Sequence, residues 1–306
     1  MSVTSPNYAT EPRYAEAQEL AGILPVPKER GRIAGFIYRN PTIFVGGLLV
    51  GLMILIAIFA PYLGTKDPTS LAPARRTREP SALYWFGTDM LGRDVYSRVL
   101  YGARVSLIVG FSVAFFASAL GTFIGLIAGF VRQIDAIVMR VMDGLMSIPP
   151  ILLAIALMAL TRASVQNVII AISIAEFPRV SRLVRGVVLS LREQPYVEAA
   201  VASGTRVPVI IWKHILPNTL APLMVQATFI CASAMITEAT LSFIGAGTPP
   251  IVPSWGNIMA EGRALWQVKP YIVFFPAIFL SITVLAVNLL GDGLRDALDP
   301  RLAKRL

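Results

Sequence analysis

Groups able to do chemistry are scarce in this 306-residue chain, so where they fall matters more than how many there are. His214 is the single histidine; it cannot build a zinc site or a Ser-His-Asp triad, and no His-Glu-x-x-His occurs. The sequence holds no Gly-x-x-x-x-Gly-Lys-Ser/Thr, hence no phosphate-cradling loop of its own. Cys231, the single cysteine, excludes an intrachain disulfide and reads as a small packing residue. Three sets of polar residues remain. Glu238 and Gln226 lie within an apolar run. Gly87, Thr88, Asp89, Gly92, Arg93 and Asp94 form a charged loop with two glycines, suited to tight turns and ion pairs. Glu198 stands on a small-sided stretch with Ala199, Ala200, Ala202 and Ser203. An ionisable group inside an apolar span is costly and faces a cavity or a partner, which makes Glu238 a candidate to line a path; a helix-end carboxylate near the headgroups is the other reading.

The elements that position these groups are membrane spans. The chain is 55% hydrophobic and 15% charged, with a mean hydropathy of +0.67, against roughly 25% charge in a soluble domain. Long uncharged runs predict spans at about 42–63, 105–131, 137–161, 164–180, 219–244 and 270–290, the fourth being short and interrupted by Glu176 and Arg179. Pro149-Pro150 and Pro276 should kink the third and sixth. Gly47 and Gly51, and the series Ala117, Gly121, Gly125 and Gly129, mark close helix packing. The net charge of +9 comes from basic residues flanking apolar runs, not from a stripe with interleaved aromatics, which argues for topology and headgroup contact over nucleic acid. Most of the 27 Lys and Arg fall on the cytoplasmic side if both termini are inside, although the first external loop, 64–104, is itself basic. Residues 1–40 lack a signal peptide's h-region and read as a cytoplasmic tail, with a short surface helix near 14–21.

The stretch 195–218 predicts two short helices. Pro195 suits a first turn, Gly204 suits the C′ position, Thr205 can cap the second helix and Pro217 limits it. Glu198-Ala199-Ala200, Gly204 and Leu216-Pro217 resemble the EAA loop of the membrane subunits of binding-protein-dependent ABC importers. His214, where the general pattern has Ile, is similar to the peptide and nickel branch. The segment from Gly87 through Asp94 resembles the opening of the "C"-type oligopeptide, dipeptide and nickel permeases, with Tyr84 where that family usually has His. Residues 237–245, 253–256 and 288–300 are similar to the same branch.

The resemblance implies an all-α polytopic protein with six transmembrane helices in the type I ABC importer permease fold, both termini cytoplasmic, in the inner membrane. It divides the chain into a tail at 1–40, a first helix and external loop at 41–103, a core at 104–292 with the coupling loop at 190–218, and a tail at 293–306. It also implies a non-catalytic subunit that pairs with a second permease subunit, two ATPase subunits holding ATP and Mg, and an external binding protein. Glu198, Ala199, Ala200, Gly204, His214, Leu216 and Pro217 would contact the ATPase. Peptides are the implied solute, with nickel, glutathione or sugars as alternatives. A self-sufficient secondary carrier would show inverted repeats, and no convincing repeat is found.

Overall fold

A computed structural model describes residues 40–298, and the short helix expected near 14–21 lies outside them. Helix α1 spans Pro41–Phe59 with proline in its first turn, and runs into a 3₁₀ turn at Ala60–Tyr62. A largely irregular segment leads to α2, Val95–Phe130, which begins well before the span expected from Val105. Its 36 residues make a rod of about 54 Å. Asp94 sets the start: its carboxylate accepts the Ser97 N–H at 3.0 Å, a side-chain N-cap.

The third span is broken rather than kinked. Helix α3, Arg132–Met146, and helix α4, Pro150–Ala159, meet at 85°. Pro149 carries the break, because a residue before proline is pushed to extended backbone, here φ −53 and ψ 132. Helix α5, Val165–Arg192, is longer than expected and amphipathic. After α6, Pro195–Ala202, and a short helical turn α7, Val207–Ile210, the chain continues into α8, Leu216–Phe243. Helix α9 spans Trp255–Gly262 and α10 spans Tyr271–Leu298, with Pro276 inside it. Among the described residues, four helices are long and apolar enough to cross a membrane, or five if α3 and α4 count as one broken span.

Glycines set the helix contacts. A Cβ on Gly121, Gly125 or Gly129 would lie 2.4, 2.8 or 2.7 Å from the Cβ of Val180, Val184 or Val188 respectively. The expected small-residue face therefore packs on α5, and the rising register makes α2 and α5 parallel. On α1 the close approach is at Gly46, whose Cβ would meet the Leu290 N at 2.6 Å; Gly47 is looser and Gly51 faces open space. Gly293 against Ile43 completes an antiparallel α1–α10 pair. Gly291 abuts Thr228 and Arg192 reaches the Gly129 carbonyl, so the start of α1, the end of α10 and the 195–218 loop share one end of the bundle. The 64–94 segment and α9 occupy the other. Cys231 is buried, as expected of a packing residue.

Candidate functional site

At the first end, α6 stands out from the bundle on one anchor. Val197 is buried, while Glu198, Ala199, Val201 and Ala202 are exposed and Ala200 is half-buried against the core. Gly204, at φ +73, closes the helix: its N–H reaches the Val201 carbonyl at 3.0 Å and the Thr205 N–H reaches Ala200 at 3.1 Å. This paired 6→1 and 5→2 closure requires a residue that tolerates positive φ. A Cβ there would meet nothing within 4 Å, so conformation alone selects glycine.

Beyond the turn, the expected second helix does not stop at Pro217. Arg206, not Thr205, precedes it, without a side-chain cap. Residues 211–215 form a π-turn in which the Leu216 N–H bonds the Ile211 carbonyl. The wider register admits Pro217, which sits in the first turn of α8 with no N–H to lose. His214 is half-buried; its ring lies 6.2 Å from that of Tyr196, and its carbonyl accepts Asn218 Nδ2 at 2.7 Å. Asn218 also reaches the Tyr196 hydroxyl at 3.4 Å. These contacts fasten α6 to the root of α8. Leu216 is half-buried and Pro217 is exposed. Tyr196, Val201, Val209 and Trp212 are exposed apolar-bodied side chains of the same stretch.

At the opposite end, the Gly87–Asp94 loop folds around a buried ion cluster. Asp89 is fully buried and accepts the Leu91 and Arg93 N–H groups at 2.8 and 2.9 Å and Arg93 Nε at 2.7 Å. Arg98, also fully buried, lies 3.6 Å from Asp89 and 3.1 Å from Glu261, and Glu261 pairs with Arg93 as well. Two guanidiniums and two carboxylates thus tie the loop to α9. Gly87 and Gly92 both take φ +77, and a Cβ would strike Tyr271 or Ala72. Thr88 donates to the Arg75 carbonyl and accepts the Arg78 N–H at 2.8 Å. Tyr84 is buried, accepting Arg75 Nη1 at 2.7 Å with Lys66 Nζ 3.9 Å from its ring centroid. Lys269, 2.7 Å from Glu79, holds that carboxyl below its ordinary value.

Glu238 lies inside the bundle. It is fully buried, and Oε1 accepts the Ser242 hydroxyl at 2.8 Å. Ser242 contacts Thr248 at 3.1 Å, and Asn257 Nδ2 donates to Thr248 Oγ1 at 2.9 Å. The Glu238 Oε2 and Ser106 Oγ atoms are buried without hydrogen-bond partners among the described residues. Gln226, on the same helix, is half-buried.

Residues 121–304 match the family model described as the binding-protein-dependent transport system inner membrane component. The chain belongs to this family. A probable peptide ABC transporter permease protein of Sinorhizobium fredii is 55% identical over 267 residues, 87% of this chain and 91% of that one. A dipeptide transport system permease protein of Alkalihalophilus pseudofirmus is 45% identical, covering 86% and 87%. A glutathione transport system permease protein of Pectobacterium atrosepticum is 41% identical, covering 86% and 88%. The fold is similar to that in the inward-facing methionine ABC transporter MetNI, with a TM-score of 0.55 at 22% identity, over 66% of this chain and 96% of that one. The protein is an ABC importer permease of the peptide branch and a multi-pass inner-membrane component. In this permease, sequence reasoning placed Asp89 and Arg93 together but missed Arg98 and Glu261, the latter 168 residues from Arg93. It also missed Ser106, Thr248 and Asn257 around Glu238. A hydroxyl- and amide-bearing stretch flanking a span was the available signal.

Proposed function

We propose that the permease pairs with a second permease subunit to form the path for di- and oligopeptides. An external binding protein delivers the solute, and two ATPase subunits holding ATP and Mg engage the 195–218 loop. The observation that carries this reading is α6: a short, small-sided helix held outside the bundle by Val197, Tyr196 and Asn218, its exposed face unused by its own chain. A rigid protrusion fastened to the root of a long helix can pass a partner's movement into the spans. That coupling requires the access states to differ in their affinity for the nucleotide-bound partner.

Six crossings account for the path of the chain. Parallel α2 and α5 require a return between them, and α3–α4 supplies it. The Arg185–Asp135 pair, at 2.6 Å, and the Arg182–Asp143 pair hold α3 along the charged half of α5. Helix α5 then crosses as an amphipathic helix, its polar side toward protein. Both termini and the 195–218 loop lie in the cytoplasm in this arrangement. The boundaries at 1–40, 41–103, 104–292 and 293–306 separate tails, first helix with its external loop, and core. The peptide assignment rests on relatives named for peptide, dipeptide and glutathione transport, glutathione itself being a tripeptide.

The test is purification of the tagged chain from its native membrane. Co-purifying ATPase subunits, with peptide uptake that needs them, support the reading. Uptake by the chain alone would make it a secondary carrier.

A further inference from the structure

The basic residues of the 64–104 segment run against the usual charge bias, since translocated loops ordinarily carry few Lys and Arg. Most of the seven have a task within the chain. Arg93 and Arg98 belong to the ion cluster. Arg104 donates to the Ala57 and Ile58 carbonyls at the end of α1. Lys66 binds the Leu83 carbonyl and stands over Tyr84. Three remain: Arg75, Arg76 and Arg78, all exposed. Arg75 touches the Tyr84 hydroxyl, while the side chains of Arg76 and Arg78 form no ion pair among the described residues. The neighbouring acid, Glu79, is committed to Lys269.

The backbone beneath these arginines is rigid and strained. Thr77, between Arg76 and Arg78, has φ +48, and it is the one non-glycine residue at positive φ among those described. A β-branched residue is disfavoured in this conformation and persists only where its surroundings impose it. The Thr77 N–H bonds the Asp89 carbonyl at 3.0 Å, and Thr88 clamps the chain on either side through the Arg75 carbonyl and the Arg78 N–H. The ion cluster thus fixes the turn that displays the arginines.

We propose that residues 75–78 form a preorganised basic knuckle that receives an acidic patch on the binding protein, steering its approach to the permease. This rests on the orientation given above, which puts the segment outside the cell membrane. Fixed cations on a braced turn suit a folded partner with fixed carboxylates; a fluid headgroup layer would need no such bracing. Steering of this kind acts on the association rate and fades with salt.

The test uses the whole complex in nanodiscs and the purified binding protein that stimulates its ATP hydrolysis, with association followed against ionic strength. Arg76→Glu/Arg78→Glu should slow association about tenfold or more at low salt and flatten the salt dependence, with subunit content and unstimulated hydrolysis unchanged. Arg76→Lys/Arg78→Lys should keep the rate. If the reversal does not assemble, Arg76→Gln/Arg78→Gln serves the same comparison with a smaller fall. Unchanged association and salt dependence in these variants would overturn the knuckle alone. Failure of every candidate binding protein to stimulate hydrolysis by the unmodified complex would overturn the importer reading with it. An effect that vanishes in nanodiscs free of anionic lipid would assign the knuckle to headgroups instead and overturn the proposal.

Discussion

Asp89→Asn is the sharpest probe of how the permease holds its 64–94 segment. Asp89 is fully buried; it accepts from two backbone N–H groups and from Arg93, and it lies 3.6 Å from Arg98 as a counter-charge. Asparagine fits the space and can keep the two backbone bonds through its oxygen. Its amide nitrogen then faces Arg93 Nε, donor against donor. The cluster of two cations and two anions becomes two cations and one anion, so a buried guanidinium loses its counter-charge. Breaking a buried pair in this way costs about 3–5 kcal/mol. At roughly 2–4 °C per kcal/mol for a chain of this class, the midpoint of thermal unfolding in detergent should fall by roughly 6–20 °C. Adding Arg93→Met removes both the unmatched donor and the excess charge and leaves Arg98 paired with Glu261 at 3.1 Å. The double variant should therefore lose less than the sum of the two single changes, by about 0.5–3 kcal/mol. Additive losses, or a fall of under about 1 °C for Asp89→Asn, would refute the reasoning.

Other expectations follow from single contacts. Gly204→Val should cost about 1–3 kcal/mol through positive φ alone and release ATPase subunits while the spans still insert; Gly204→Asn, which tolerates that conformation better, should retain them in pull-down. Gly125→Leu puts a side chain where a Cβ already lies 2.7 Å from the Ser181 carbonyl, so it should lower the unfolding midpoint, whereas Gly51→Leu, which meets nothing within 4 Å, should not. Glu238→Gln should leave subunit assembly intact and change peptide uptake; unaltered uptake across a range of pH would make the carboxyl a purely structural element of the Ser242–Thr248–Asn257 network.

The legible parts of the fold were those set by local rules. Pro195 opens α6 and Gly204 closes it because both preferences are properties of single residues. The Gly121, Gly125 and Gly129 face was readable because helical spacing repeats along one strip, although its partner, α5, was not. Consecutive prolines at 149 and 150 announced a disturbance, but its size depends on Pro149 adopting extended backbone, which turns a kink into an 85° break. Pro217 misled because a stop and a first-turn proline look alike until the π-turn at 211–215 is seen. Gly46 was passed over for Gly47 and Gly51 because spacing does not tell which face meets α10. The ion cluster was half visible: Asp89 and Arg93 are neighbours in sequence, whereas Glu261 arrives only through the packing of α9. Ala200 read with Glu198 and Ala199 as an ATPase-contacting residue, but with Val197 as the anchor it is half-buried against the core, which leaves Glu198 and Ala199 as the presented pair of the three.

The central claim is that this presented pair transmits ATP-driven movement. The direct measurement is binding-protein-stimulated ATP hydrolysis by the reconstituted complex carrying Ala199→Trp or Glu198→Ala, with subunit content determined on the same sample. Both residues are exposed, so neither change disturbs the packing of the chain itself. Bulk at Ala199 should obstruct a closely fitting groove at about 1–3 kcal/mol. The account predicts complexes that lose ATPase subunits, or keep them and no longer respond to loaded binding protein. Full subunit content with full stimulation in both variants would contradict it.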